Sequence, residues 1–233
     1  QLVHEFIHMI FTGIITKAKG IRKAEELVEG VLMPTPYAVL SAVRLLSEGA
    51  GDEPGIGELM AVDVGGATTD VHSFCDGYQS PDNTVFEGFA EPKLKRTVEG
   101  DLGVRHNAAA IVEAVTGKPS NPFKNRSALL HELEAISKDP WLLTSDDFPG
   151  FDDELCKTAI SIATERHCGT LEQRYTANGI RYIQRGKNLS DIKTIIGTGG
   201  VLVNSPNALE IMKSAVYTDN EPDSLRPVNP EIY

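Results

Sequence analysis

An apolar segment that ends on an acidic residue and a pair of glycines constrains the fold of this chain more than any other feature. Residues 58–64 (Glu-Leu-Met-Ala-Val-Asp-Val) have the near-continuous apolar character of a buried strand. Gly65 and Gly66 follow and favour a tight turn, and residues 68–74 alternate as a returning strand does. The pattern therefore predicts a β-hairpin over residues 58–74, within a larger sheet.

The turn of this hairpin has a composition suited to binding phosphate. Small residues at three successive positions allow backbone amides to approach a ligand closely, and two hydroxyl groups follow them. The five predicted phosphate-binding residues are Gly65, Gly66, Ala67, Thr68 and Thr69. No Gly-Lys-Ser/Thr sequence follows, so the segment is not a P-loop.

Two aspartates flank this turn and point to a metal ion. Asp63 and Asp70 would repel a bare phosphate, but Mg²⁺ binds one or two carboxylates together with phosphate oxygens. We therefore expect Asp63 and Asp70 to hold Mg²⁺ and its waters, and to be the catalytic pair of the site. The alternative is an ordinary Gly-Gly hairpin turn with a polar second strand.

Other segments alternate between helical and strand patterns, which favours an α/β sheet. Apolar periodicity predicts helices over about residues 2–19, 37–48, 104–115, 152–175 and 207–215, and strands over about 180–184 and 191–196. Residues 117–153 mix Pro, Asn and Asp with a short helix near 128–136, and they are interpreted as a small inserted subdomain.

Four segments of the chain occur in the order found in actin, Hsp70 and the sugar kinases. Residues 33–42 resemble the segment that leaves the first lobe of such ATPases, and residues 63–70 resemble their second phosphate motif. Residues 99–103 (Glu-Gly-Asp-Leu-Gly) resemble the turn that opens a helix of the second lobe. Residues 195–200 (Ile-Ile-Gly-Thr-Gly-Gly) resemble the adenosine motif.

A closer resemblance is to the accessory proteins of adenosylcobalamin-dependent glutamate mutase. These proteins are called MutL and are unrelated to the mismatch-repair protein of that name. The segments that carry the resemblance are residues 33–40, 62–73 and 95–103. Family members are roughly twice as long, and the N-terminal phosphate motif of the first lobe has no counterpart here.

The resemblance implies an actin-like, ribonuclease H-like lobe, with a mixed five-stranded sheet and helices on both faces. Residues 1–57 would be the end of the first lobe and its connecting helix. Residues 58–233 would form the second nucleotide-binding lobe, with the inserted subdomain at about 117–153. The chain would then be a piece of a longer protein.

The same resemblance implies a nucleotide site and a partner. ATP or ADP would bind with Mg²⁺, and the cofactor-binding residues beyond the hairpin would be Gly100, Gly197, Thr198, Gly199 and Gly200. The full-length protein would be an ATPase that reactivates a B12-dependent mutase through lobe motion, by analogy with diol dehydratase reactivases. A nucleotide-gated scaffold that does not hydrolyse ATP is left open, as is the oligomeric state.

The amino-acid composition argues against nucleic acid and membrane as partners and indicates the compartment. The net charge of −11 over 233 residues repels nucleic-acid backbones. The sequence contains no run of about 18 apolar residues, so no membrane span is predicted. Three cysteines without paired spacing are typical of reduced thiols in a cytoplasmic protein.

A zinc metallopeptidase is a more remote alternative. His4, Glu5 and His8 match the His-Glu-x-x-His pattern, in which two histidines on one helical turn bind Zn²⁺. These residues also form the polar edge of the predicted helix, and no downstream segment completes the site. About one zinc per chain, lost on His8→Ala substitution, would favour the metallopeptidase.

Overall fold

The computed structural model describes residues 35–78, 83–119, 121–124, 126–140, 150–177 and 179–233. The chain divides into two compact units, residues 1–42 and 43–233. The helix predicted over residues 2–19, with the His4–His8 motif, lies outside the described residues. All the described strands belong to the second unit.

The described helices and strands follow a largely alternating order. The helices are α1 (Thr35–Glu48), α2 (Ala108–Val115), α3 (Arg126–Lys138), α4 (Phe151–His167), α5 (Gly200–Asn204) and α6 (Ala208–Met212), with a 3₁₀ turn at Lys213–Ala215. The strands are β1 (Gly49–Ala50), β2 (Glu53–Pro54), β3 (Leu59–Val64), β4 (Thr69–Phe74), β5 (Thr84–Phe86), β6 (Leu94–Glu99), β7 (Thr170–Thr176), β8 (Gly179–Arg185), β9 (Thr194–Thr198) and β10 (Glu231–Ile232).

A mixed five-stranded sheet organises the second unit, in the order β10-β9-β3-β4-β6. β9 runs parallel to both β3 and β10, whereas β3, β4 and β6 form an antiparallel meander. β3 and β4 are joined by the predicted tight turn. The predicted hairpin and the mixed five-stranded sheet are therefore confirmed.

The main core lies on one face of this sheet and a smaller cluster lies on the other, because side chains alternate along β3. Met60, Val62 and Val64 are fully buried in the main apolar cluster, where α4 packs across β3, β4 and β6. The intervening Leu59 and Ala61 face the other side, in a smaller cluster with Val43 and Phe74. A strand buried on both faces explains the near-continuous apolar run in its sequence.

The helix predicted over residues 152–175 is shorter in the structure, and the last part of that segment forms a strand. α4 ends at His167, and residues 170–176 instead form β7, which pairs antiparallel with β8 along seven residue pairs. A Cβ atom on Gly169 would lie 2.3 Å from the carbonyl oxygen of Arg185, so glycine is required where the chain leaves the helix. Pairing with β8 overrides the helical propensity of Leu171 and Glu172.

Two strands of the main sheet are not predicted by the sequence pattern. β6 lies in a segment that resembles the approach to a helix, and β10 lies in one without a strand pattern. Both are edge strands whose pairing partners lie far along the chain, so local pattern gave no signal for them. None of the helices in the described ranges is long and apolar enough to cross a membrane.

Candidate nucleotide site

The turn between β3 and β4 is held by its carbonyl groups. The Gly65 carbonyl accepts from the Val104 amide at 3.2 Å, and the Gly66 carbonyl accepts from the Arg105 and His106 amides at 3.0 and 2.8 Å. The Ala67 carbonyl accepts from Asn107 Nδ2 at 2.9 Å. The loop at residues 100–107 therefore acts as a clamp on the turn.

The amide groups of the same turn are left open. The Gly65 amide closes the turn on the Thr68 carbonyl at 2.9 Å. The amides of Gly66, Ala67 and Thr68 have no acceptor within the described part of the chain. These residues are half-buried or exposed, so three successive N–H groups remain available to a ligand. Such a concavity favours anions.

Close approach of the two loops requires a glycine at position 103. A Cβ atom there would lie 2.3 Å from the backbone carbonyl carbon of Ala67. Thr69 tightens the same contact, because its buried hydroxyl donates to the Leu102 carbonyl at 2.7 Å. The Thr69 hydroxyl predicted for phosphate is therefore engaged in the clamp. The Gly100 carbonyl accepts from Asn107 Nδ2, and a Cβ atom on Gly100 would have no neighbour within 4 Å.

The glycines of the Gly-Thr-Gly-Gly segment, residues 197–200, differ in role: two make close packing contacts and the last borders open space. Gly197 lies within β9, where a Cβ atom would be 2.9 Å from Met212 Sδ. Gly199 has φ +104° and approaches the Val64 carbonyl oxygen so closely that a Cβ atom would be 2.2 Å away. Only Gly200, at the start of α5, leaves open space around its Cα. Thr198 is half-buried and pairs in register with Asp63.

A cavity of about 820 Å³ joins these segments. It is lined by the turn, by the clamp loop, by the start of α4 and by α5 with the loop that follows it. Among the predicted site residues, Gly66, Ala67 and Gly200 line this cavity. Its volume lies in the range of small-molecule sites.

Two polar contacts shape the α4 wall of the cavity. Arg105 binds both carboxylate oxygens of Asp152, at 2.5 and 2.9 Å. Asp153 accepts from Ser205 Oγ at 3.2 Å and from Asn207 Nδ2 at 2.7 Å. These contacts tie the first turn of α4 to the clamp loop on one side and to the loop after α5 on the other.

The aspartate pair lies beside the turn, on the opposite face of the sheet from Val64. Asp63 and Asp70 are directly opposite each other in the β3–β4 register. Burial, followed by the neighbouring Asp70 carboxylate, raises the pKa of Asp63, and the Arg96 guanidinium acts in the opposite direction. Asp70 is buried; its Oδ2 accepts from Arg96, whereas its Oδ1 has no hydrogen-bond partner in the described structure.

Comparison with known proteins identifies the family. A family model described as "MutL protein" matches residues 1–233. The chain belongs to the MutL family. The curated "Protein MutL" of Clostridium tetanomorphum is 43% identical over 235 residues, which cover 98% of this chain and 50% of that protein. The chain therefore spans about half the length of the curated relative it matches. No solved structure matches it.

Membership in the MutL family confirms the resemblance to the mutase accessory proteins, as distinct from the mismatch-repair protein. In this MutL-family chain, local sequence pattern does not show that Arg96, Arg105 and Asp152 pair with other residues around the site. They lie on a strand that was not predicted, in the clamp loop and at a helix start. Arg105 and Asp152 are 47 positions apart, so no local spacing links them. Among the described residues, no group of three His, Cys, Asp or Glu side chains could hold a metal ion.

Proposed function

We propose that this chain is the second nucleotide-binding lobe of an ATP-binding accessory factor that reactivates an adenosylcobalamin-dependent mutase of the glutamate mutase type. The observation that carries the nucleotide part is the β3–β4 turn. The clamp loop binds three of its carbonyls, those of residues 65–67, while the amides of Gly66, Ala67 and Thr68 have no acceptor among the described residues. A turn fixed in this way presents donors to phosphate at no further cost of ordering.

The cavity supplies a place for the nucleoside. It begins at Gly66 and Ala67 and continues to Gly200, so a nucleotide with phosphates on the turn would extend along it. Its walls combine apolar side chains with polar groups already held by partners, such as Arg105 with Asp152. Such walls give shape without leaving unpaired charges against the base and ribose.

The aspartate pair fits a magnesium ion that accompanies the phosphates. Asp70 Oδ1 is a buried carboxylate oxygen without a partner among the described residues, and such an atom is costly unless a ligand or water completes it. Asp63 is only half-buried, so its carboxylate is accessible. Asp63 and Asp70 Oδ1 would hold Mg²⁺, directly or through its waters. When bound, the ion would neutralise phosphate charge.

Within this proposal the chain contributes orientation and charge. The open amides of the turn hold phosphate oxygens, and the clamp loop keeps them in place. Asp63 and Asp70, on the side of the sheet opposite the main core, would hold the cation. Because phosphoryl transfer depends on positioning and charge stabilisation, half a site should bind nucleotide weakly and turn it over negligibly.

Family membership supports the accessory role. Nucleotide-dependent lobe motion would change which arrangement binds the mutase. The test uses the full-length protein with ATP and an inactivated adenosylcobalamin-dependent glutamate mutase. Recovery of mutase activity that depends on ATP is expected, and recovery that is equal without nucleotide would contradict the role.

Gly200→Val tests the nucleotide site. The added side chain meets no protein atom within 4 Å of its Cβ and enters the cavity, so we expect a normal fold and at least about tenfold weaker binding of Mg-ADP. Calorimetric titration with Mg²⁺ and with chelator measures this change. Gly199→Val is a poor probe, because its Cβ would collide with Val64 in the folded chain.

Gly100→Val is the matched control. Its Cβ also meets nothing within 4 Å, but Gly100 does not line the cavity. Loss of affinity in Gly200→Val alone is the expected result. Equal affinity in both variants and the wild type would mean that the cavity does not hold the nucleotide. Weaker binding in Gly100→Val as well would mean that the loss in Gly200→Val is not specific to the cavity.

A further inference from the structure

Arg96 is the cation that faces the aspartate pair. On β6 it lies directly opposite His72 of β4, and its guanidinium reaches diagonally to the next pair of residues. Arg96 Nε and Nη2 donate to Asp70 Oδ2 at 3.2 and 2.7 Å. The Arg96 side chain is 31% exposed, whereas that of Asp70 is 5% exposed.

The geometry of this ion pair is one-sided. Arginine commonly binds both oxygens of a carboxylate, as Arg105 does with Asp152 in the same chain. Arg96 instead places two donors on one oxygen of Asp70 and leaves Oδ1 without a partner in the described structure. Both ring nitrogens of the buried His72 beneath it are also without partners among the described residues. The pair therefore fixes one oxygen of Asp70 and keeps the other free.

The charges on this face decide when a cation can bind there. With both carboxylates ionised, Asp63, Asp70 and Arg96 together carry a single negative charge. A divalent ion added alone would leave excess positive charge beside a guanidinium in a half-buried site. A divalent ion that arrives with nucleotide phosphates brings its own counter-charge.

We propose that Arg96 makes cation binding at Asp63 and Asp70 conditional on phosphate. Its guanidinium neutralises part of the negative charge of the two aspartates, so the free metal binds poorly. The same contact keeps Asp70 Oδ1 oriented for a metal that arrives with the nucleotide. Arg96 is a positioning residue in this scheme. The inference rests on the proposed metal-nucleotide site and adds a reason why that site would discriminate between free and nucleotide-bound metal.

The experiment measures Mn²⁺ alone, without nucleotide, by the loss of its free electron paramagnetic resonance signal. Wild type should bind Mn²⁺ weakly, and removal of the positive charge in Arg96→Gln or Arg96→Met should strengthen binding by about tenfold or more. Arg96→Lys keeps the charge and should show no gain. The double variant Arg96→Gln with Asp70→Asn should lose the gain. Two neutral variants are used in case one of them folds poorly.

Arg166→Gln is the control for unpaired acids in general. Arg166 pairs with two carboxylates, Glu99 and Asp101, at 2.7 Å each. That cluster is more exposed and has no buried oxygen without a partner among the described residues. An equal gain in Arg166→Gln, or no gain in either neutral Arg96 variant, would overturn the proposal.

A nucleotide titration separates this inference from the function on which it rests. If wild type binds Mg-ADP and the Arg96 variants show no gain for Mn²⁺, the conditional role is wrong and the nucleotide site stands. With the conditional role correct, free-metal affinity should rise in Arg96→Gln while the ratio of nucleotide affinities with and without Mg²⁺ falls. A ratio equal to that of wild type would contradict the role.

Discussion

Gly103→Ala is the sharpest test of how the clamp loop holds the β3–β4 turn. The new Cβ atom would lie 2.3, 2.4 and 2.5 Å from three backbone atoms of Ala67. Ordinary Cβ contacts begin at about 3.4 Å, so the clamp loop and the turn must separate by about 1 Å. Neither side can yield by rotating a side chain, because the colliding atoms are backbone.

The cost follows from the bonds that cross this contact. Separation would stretch the Val104–Gly65, His106–Gly66 and Thr69–Leu102 hydrogen bonds, now 3.2, 2.8 and 2.7 Å long. Overpacking costs about 1–3 kcal/mol, and a weakened hydrogen bond adds about 1 kcal/mol. We expect the free energy of unfolding to fall by about 2–4 kcal/mol. Urea unfolding measures it through the midpoint, at an unchanged m-value.

Gly100→Ala is the matched comparison, three positions earlier in the same loop. Its Cβ would have no neighbour within 4 Å and its backbone is not left-handed, so the substitution should be neutral or stabilise by a few tenths of a kcal/mol. Mg-ADP affinity should fall in Gly103→Ala because the open amides lose their fixed position. Equal unfolding midpoints for the two variants would refute the steric argument.

Two further predictions concern buried polar contacts. Either Arg105→Met or Asp152→Asn should lower the free energy of unfolding by about 2 kcal/mol, because each substitution leaves the charge of a largely buried partner unpaired. A double-mutant cycle should show strong coupling between the two positions, and additive losses would contradict a direct pair. His167 is buried between the hydroxyls of Ser73 and Thr97, each 2.8 Å away, and burial, followed by the charge of Lys95, holds its pKa well below the usual 6.5. In the unfolded chain the His167 imidazole takes up a proton near pH 6.5, and in the native protein it does not. The free energy of unfolding that neutral His167 contributes is therefore fully present above pH 6.5 and falls by about 1.4 kcal/mol per pH unit on acidification. Urea unfolding from pH 7 to 5 should therefore show a shallower pH dependence in His167→Gln, and an unchanged slope would contradict this account.

The sequence predicted those helices and strands whose apolar periodicity and turn residues lie within one continuous segment. The β3–β4 hairpin follows from an apolar run, a glycine pair and an alternating return. Helix α1 was predicted over about residues 37–48 and spans Thr35–Glu48 among the described residues. The resemblance of residues 99–103 to a turn that opens a helix also located the clamp loop, although α2 begins only at Ala108.

The composition of the turn, with flanking acids, predicted a phosphate and metal site from residues within eight positions of each other. That hypothesis was available because backbone amides and carboxylates at fixed spacing are local features. The sequence did not indicate which donors would be open. The clamp loop decides this by taking the carbonyls of Gly65, Gly66 and Ala67.

Contacts between distant segments were decided only by the tertiary structure. Residues 170–176 have helix-compatible composition and become a strand because β8 offers seven paired positions. Arg96 reaches Asp70 because β6 joins the meander in one particular register, and Arg105 reaches Asp152 across 47 positions. The physical reason is that hydrophobic periodicity records which face of an element is buried, but not which neighbour covers it. Strand register and long-range ion pairs are set when the sheet and α4 pack together.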